Sequence, residues 1–403
     1  MTDRRVLVLG TLDTKGAEVG YLADGLRRRG ATPWVLDLSV LGPPGVPADI
    51  TRDAVARAAG SSVEVLRRLD DRAQALATMA HGAAAHATRL LGEGRLAGVV
   101  GVGGSQGTVA AAHVMAGLPY GLPKLIVSTM ASGNTRPYVG TADIAMLFPV
   151  VDLLALNRFS RRALDNAAAA MAGMAGAWHG VPPADTRAVA VTAFGSTTPC
   201  VTAVAAGLHG LGLEPVVFHA NGAGGQALEE WIARGEFAGV VDVTTTELAD
   251  ELAGGHRSAG PQRLEAAGRR GLPQVVAPGA LDMVNFGPPE TVPACHAGRQ
   301  FHRHNAGTTL MRTTPSENAA LGRWMAEKLN LATGPAGVAI PRLGFSAYDV
   351  AAGPFFDPEA DRAFGEALKS ELRPDIPVVE VDAHINDSAF ARALVELYEK
   401  LAG

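Results

Sequence analysis

Cysteine is almost missing from this chain: 403 residues contain two. Cys200 and Cys295 are too few and too far apart for a disulfide framework or a cysteine-rich zinc site, and they agree with a reducing compartment. A cytoplasmic location is therefore expected. Clustered positive charge is also missing. The formal net charge is −5 and no Lys/Arg-rich run exists, since Arg27-Arg28-Arg29 reads as the solvated end of a helix. No nucleic-acid partner is expected from such a surface. Long apolar runs are lacking too. The opening stretch Val6–Leu9 is too short for a signal-peptide core or a membrane span, so no membrane partner is expected. Aromatic residues make up 5% of the chain against 48 glycines, which predicts helices packed closely onto sheets.

What is present is a repeat. Residues 5–37 and residues 187–219 align without a gap at an offset of 182, pairing Gly25 with Gly207, Gly30 with Gly212 and Pro33 with Pro215. The match continues with slips that mark loop insertions. Ala97–Gly104 (AGVVGVGG) pairs with Ala238–Thr245 (AGVVDVTT), and Leu122–Val127 (LPKLIV) pairs with Leu272–Ala277 (LPQVVA). Short, continuously apolar strands alternating with helices indicate parallel sheets covered on both faces. The expected fold is α/β, with two tandem doubly wound Rossmann-like parallel-sheet domains related by internal duplication and an interdomain cleft. The expected boundaries are 1–180 for an N-terminal nucleotide or phosphate domain and 181–403 for a C-terminal substrate domain, joined by the linker His179–Asp185.

Between the repeat blocks, the pattern predicts helices near 51–69 and 72–93, a helix at Thr108–Ala116, and an Ala-rich helix over Val150–Ala175. In the second half it predicts a helix from Thr314 to Leu329, strand or loop-edge segments at Gly337–Ile340, Gly344–Ala347 and Val378–Val381, and a closing helix at Asp387–Leu401.

Open parallel sheets bind ligands beyond the carboxyl ends of their strands. In the first half this selects Thr11, Asp13, Thr14 and Lys15, which open a helix after a strand and are read as anion donors or as caps. It also selects Gly103, Gly104, Ser105, Gln106, Gly107 and Thr108, where glycines let a phosphate approach the main chain. The repeat-equivalent turn, Thr244-Thr245-Thr246-Glu247, has no glycine pair, which favours phosphate binding at the first turn. Ser132, Asn134 and Arg136 form a third polar loop, with Arg136 able to hold a phosphate or carboxylate through two bonds. No P-loop spacing, nucleophile elbow or His-Glu-x-x-His is found.

In the second half the same rule selects Ser196, Thr197, Asn221, Gly224 and Asp282 as substrate-side residues and His219 and Glu247 as candidate catalysts, and a dense polar cluster at 302–305 adds Asn305 to the first group and His304 to the second. Glu247 has a second reading, because Thr244-x-x-Glu247 fits a capping box, as does Thr314-x-x-Glu317. His302 and His304 present a His-x-His pair, but spacing fixes no third ligand, so the metal ligands stay unassigned. Asp37 ends the second strand, where a ribose-binding acid sits in dinucleotide folds, yet the first turn lacks Gly-x-Gly-x-x-Gly.

Four motifs in combination resemble one family: Gly-Thr-Leu-Asp-Thr-Lys-Gly from Gly10, Gly-Gly-Ser-Gln-Gly-Thr from Gly103, Met-Ala-Ser-Gly-Asn-Thr-Arg from Met130, and Phe-Gly-Ser-Thr-Thr-Pro-Cys-Val from Phe194. The family is that of the ATP-binding inhibitory domain of the tomato mosaic virus resistance protein and its bacterial relatives. The resemblance implies two α/β subdomains and the binding of ATP with Mg2+. The plant protein carries a further barrel domain for which no counterpart is expected here. The function expected first is an ATP-dependent enzyme acting on a small molecule by phosphoryl transfer or ligation. A nucleotide-responsive binding module without turnover, and a lyase or hydrolase that does not use ATP, are the alternatives; a homo-oligomer is open.

Overall fold

The computed structural model describes residues 5–181 and 187–403; residues 182–185 of the expected linker lie outside the described residues. The chain divides into two compact units, residues 1–182 and 183–403.

Unit 1 runs β1 (Arg5–Gly10), α1 (Leu12–Arg27), β2 (Thr32–Asp37), α2 (Arg52–Ala58), α3 (Val63–Arg67), α4 (Arg72–Gly92), β3 (Leu96–Gly103), α5 (Ser105–Ala116), β4 (Lys124–Ser128), α6 (Arg136–Val139), β5 (Ala145–Leu147) and α7 (Arg158–Ala177). Its five strands are parallel in the order β2-β1-β3-β4-β5. Alternation along β1 explains the layering. Leu7 and Leu9 enter the core formed with α4 and α5, while Val6 and Val8 enter the core formed with α1 and α7. Every residue of the central strand β3 is buried, as a strand covered on both faces requires. Small residues let the helices approach. A Cβ on Gly82 of α4 would stand 1.9 Å from the Val55 carbonyl oxygen of α2.

Two helices differ from the sequence reading. The one expected near 51–69 is broken into α2 and α3, because Gly60 turns left-handed at φ +70° and the Ser62 hydroxyl accepts from the Val65 amide to start a new helix. The helix expected from Val150 begins only at Arg158. Val150 sits at φ 67°, and Asn157 forms a reciprocal capping box with Ser160.

Unit 2 runs β6 (Ala188–Ala193), α8 (Thr198–Gly210), β7 (Glu214–His219), α9 (Ala223–Arg234), β8 (Gly239–Thr244), α10 (Thr246–Ala253), α11 (Ala266–Arg270), β9 (Gln274–Gly279), β10 (Met283–Phe286), β11 (Phe301–Asn305), β12 (Thr308–Arg312), α12 (Pro315–Asn330), β13 (Ala336–Pro341), α13 (Pro358–Glu371), β14 (Val378–Val381) and α14 (Ser388–Ala402). Six parallel strands take the order β7-β6-β8-β9-β13-β14. Counted within each unit, both sheets begin second, first, third, fourth, and β2 and β7 occupy the positions that the repeat aligns. Gly344–Ala347 is loop. A small antiparallel sheet, β10-β12-β11, was not foreseen, because its strands are short and interrupted by polar residues. Among the described residues no helix is long and apolar enough to cross a membrane.

Candidate functional site

Strand order reverses beside β1 in unit 1 and beside β6 in unit 2. The turns after these strands and their neighbours β3 and β8 therefore flank the crevice where doubly wound sheets take ligands.

In unit 1 the two helix starts at this edge are in opposite states. At α1 the first amides are already engaged: Leu12 N donates to Asp37 Oδ1 and Asp13 N to Ser39 Oγ. Asp37 is buried and also accepts from the Ser39 amide, so it is a cap for α1 and not a free ribose-binding acid. The anion-site reading of this loop is corrected accordingly. Asp13 Oδ2 accepts from Gly42 N, Thr11 and Thr14 share a hydroxyl contact of 2.8 Å, and Lys15 Nζ donates to the Leu153 carbonyl.

At α5 the amides of Ser105, Gln106 and Gly107 have no hydrogen-bond partner among the described residues. Ser105 and Gln106 are exposed. Gly103 is a packing glycine, since a Cβ there would meet the Gly107 backbone at 2.8 Å. Gly104 is not: at φ −87° its Cβ would meet only Thr129 Oγ1, at 3.8 Å. Thr108 departs from the expectation. It is buried, and its hydroxyl bonds the Gly104 carbonyl and Ser128 Oγ, tying α5 to β4. On the next loop Ser132, Asn134 and Arg136 are exposed; Asn134 Oδ1 accepts from the Arg136 amide.

Unit 2 treats its turns differently. Thr244 to Asp250 are all buried. The Thr244-x-x-Glu247 capping box does not form, because α10 starts after Thr245 with no side-chain cap. Glu247 instead crosses to α9, where its Oε1 accepts from the amides of Gly222 and Gly225 at 2.7 and 3.0 Å. Its Oε2 accepts from Arg263 Nε at 2.7 Å, and Arg263 grips Asp242 through two further bonds. A fully buried carboxylate so engaged is a structural group, and the catalytic reading of Glu247 is corrected. The Asn221–Gly225 loop is thus loaded with an internal anion. Asn221 Oδ1 caps Gly224 N, and a Cβ on Gly224 would lie 1.8 Å from the His219 carbonyl oxygen, so that glycine answers to packing. Thr197 is buried against Phe194 and Thr244, and Asn305 caps the β11–β12 turn through Gly307 N; neither lines the pocket described next. By contrast, the Thr314/Glu317 box forms as expected.

A pocket of about 340 Å³ lies at the carboxyl edge of β6 and β7, walled by β10–β12 and the loop after β13. It gathers Ser196, His219 and His304 from the sequence reading, together with Phe194, Arg257, Asn285 and Tyr348. Phe194 stacks on His219 with ring centroids 5.5 Å apart, and the Arg257 guanidinium lies 4.9 Å from the Phe194 ring centre. Tyr348 Oη and His304 Nδ1 are 2.7 Å apart. Burial, reinforced by the charge of Asp282, pushes the Tyr348 phenol upward, and the tautomer of His304 sets which of the two groups donates. Two buried atoms in the pocket residues, Ser196 Oγ and Asn285 Oδ1, have no hydrogen-bond partner. Asn285 Nδ2 is fixed on Asp250 Oδ2 at 2.8 Å, which leaves Oδ1 as a committed acceptor. The backbone carbonyl of Ser196 is held by Ala347 N and Asn386 Nδ2. Asp282 stands behind this wall. It accepts from Ser346 Oγ at 2.7 Å, and burial with Asp349 nearby pushes it up to about 7.

Arg257 and Tyr348 had no signal in the sequence. They come from loops whose lengths follow no motif, and only the fold carries them to the end of β6. Phe194 did have one, as the residue that opens the Phe-Gly-Ser-Thr motif. Among the described residues no group of three or more His, Cys, Asp or Glu is poised for a metal.

These features define a class: a tandem pair of doubly wound α/β units, the second with a polar pocket at its sheet's carboxyl edge. Residues 4–179 match the N-terminal domain of the Uncharacterised protein family (UPF0261), and residues 186–402 match its C-terminal domain. The chain belongs to this family, as the motifs led one to expect. A UPF0261 protein of Clostridium tetani is 44% identical over 395 residues, covering 98% of each chain. The UPF0261 protein RA0729 of Rhizobium meliloti is 44% identical over 404 residues, covering 99% of each. The ToMV susceptible protein tm-1(GCR26) of Solanum lycopersicum is 38% identical over 426 residues, which takes in 99% of this chain and 56% of the tomato protein.

Proposed function

We propose that this chain is an ATP-using enzyme that acts on a small molecule in the pocket of unit 2. The observation that carries the reading is the hydrogen-bonded Tyr348–His304 pair in a pocket whose residues include two unpartnered buried polar atoms. Leaving such atoms without a partner costs about 1–3 kcal/mol each, a cost that a molecule hydrogen-bonded to them would offset.

The pair is suited to moving a proton. A substrate hydroxyl placed against Tyr348 Oη passes its proton to that oxygen, while the phenol proton moves to His304 Nδ1. His304 is exposed at the rim, so its other ring nitrogen exchanges the charge with water. Such positioned acid–base groups contribute about 10²–10⁴-fold to rate.

ATP with Mg2+ is the cofactor implied by the family resemblance, and the turn at α5 fits a phosphate. The free amides of Ser105, Gln106 and Gly107 and the Ser105 hydroxyl are the groups that would hold it, with no side chain on Gly104 to obstruct approach. Bound there, the nucleotide supplies a transferable phosphoryl group. Nucleotide-bound magnesium takes most of its ligands from phosphate and water, so it does not call for a dedicated cluster of protein carboxylates.

The test is ADP or AMP formation by the full chain with ATP, Mg2+ and panels of sugar acids, amino acids and carboxylates. His304→Ala is expected to lower turnover by about 10²–10⁴-fold with ATP affinity unchanged. ATP binding with no product across all panels would instead support a nucleotide-responsive binding module.

A further inference from the structure

We infer that the unit 2 pocket is a site for a small hydroxycarboxylate, with Arg257 as its carboxylate anchor and Asn285 and Ser196 as its hydroxyl readers. The inference rests on the pocket of the proposed function and names what it takes.

Three observations converge. First, Arg257 is half-buried at the pocket and its guanidinium makes no hydrogen bond or ion pair among the described residues; it lies over the Phe194 ring and feels the charge of Asp250. Other buried or half-buried arginines of this unit are paired: Arg263 with Asp242 and Glu247, Arg312 with Asp361, Arg299 with Glu317. A guanidinium with no acceptor keeps its N–H donors free, and its planar fork matches the two oxygens of a carboxylate.

Second, Asn285 Oδ1 asks for a donor, since its amide nitrogen is already given to Asp250. A hydroxyl answers it; a second carboxylate does not. Ser196 Oγ, also unpartnered, both donates and accepts, so it suits the same hydroxyl or its neighbour. Third, the polar groups belong to a pocket of about 340 Å³. That is at the lower end of the range of about 300–1,000 Å³ for small-molecule sites. It suits an acid of three to six carbons. The stacked ring of His219 beside Phe194 and the side chains of Leu310 and Ala347 supply the apolar wall for a carbon chain.

The experiment is isothermal titration of the full chain with glycerate, threonate and gluconate, each against the polyol of equal length, and with 3-phosphoglycerate. At least one acid is expected to bind ten times or more tightly than its polyol. Arg257→Gln is expected to weaken that acid by about tenfold to a hundredfold. Arg257→Lys, which keeps the charge and loses the fork, should fall between. An unchanged melting temperature in both variants separates loss of the anchor from loss of the fold. Ser196→Ala should weaken the acid by about fivefold.

The proposal is overturned if no acid binds more tightly than its polyol, or if Arg257→Gln leaves the affinity unchanged. It is also overturned if 3-phosphoglycerate binds at least ten times more tightly than glycerate, which would mark a phosphate site. Acid binding with no turnover on addition of ATP and Mg2+ removes the enzyme reading and leaves the carboxylate site standing. Turnover of a neutral compound at an unaltered rate in Arg257→Gln removes the carboxylate site and leaves the enzyme reading standing.

Discussion

The turn after β3 and the turn after β8 hold the same place in two sheets of like order, and the chain treats them in opposite ways. The first, at Gly103–Thr108, is open: it begins α5 with three amides that nothing in the described chain engages. The second, at Thr244–Glu247, is buried, and its glutamate has been turned inward to fill the start of α9 and to pair Arg263. A helix start carries roughly half a positive charge and favours an anion nearby. Where the protein supplies that anion itself, as Glu247 does for α9 and Asp37 for α1, the start is part of the scaffold. Where it does not, the start is free for a ligand.

The strongest way to break this comparison is to remove the internal anion. Glu247→Ala should cost about 3–5 kcal/mol in urea denaturation, because it leaves two buried amides and part of Arg263 unpaired. A variant of full stability with lost activity would return Glu247 to catalysis. Next come the glycines. Gly224→Ala drives a Cβ into the His219 carbonyl and should cost about 1–3 kcal/mol, while Gly104→Ala meets open space and should change stability by no more than about 0.5 kcal/mol. Equal costs would mean that Gly104 serves packing after all. Gly104→Val sharpens the point: the fold should persist while ATP affinity, read by titration, falls by about tenfold or more, about 1.4 kcal/mol. Unchanged affinity would remove the α5 turn from the nucleotide site.

Much of the fold was legible because its signals are local. Val6–Leu9 and Ala97–Val102 are apolar runs of strand length, and the offset of 182 laid β2 onto β7 residue for residue. The helix breaks at Gly60 and Asn157 were less legible, since Ala-rich sequence runs up to Gly60 and follows Asn157, and the apolar residues on the other side of each break extend a helical pattern. The site was legible in part. Ser196 and His219 were selected as strand-end residues and His304 as part of a polar cluster, and the three meet in one pocket. Thr108 and Glu247 were selected by the same rule and are buried structural groups, because a strand-end position says nothing about which way a side chain turns.

The sequence by itself determined the parallel strands, the duplicated order and the family, since these follow from periodicity and from motifs a few residues long. Tertiary structure alone decided which helix starts are filled and what the pocket contains. Asp37 lies 25 residues beyond the amide it caps, Glu247 lies 22 and 25 residues beyond the two it accepts from, and Tyr348 lies 44 residues beyond His304. A hydrogen bond depends on two atoms coming within about 3 Å in space. No spacing along a chain encodes that distance until the sheets and loops have set it.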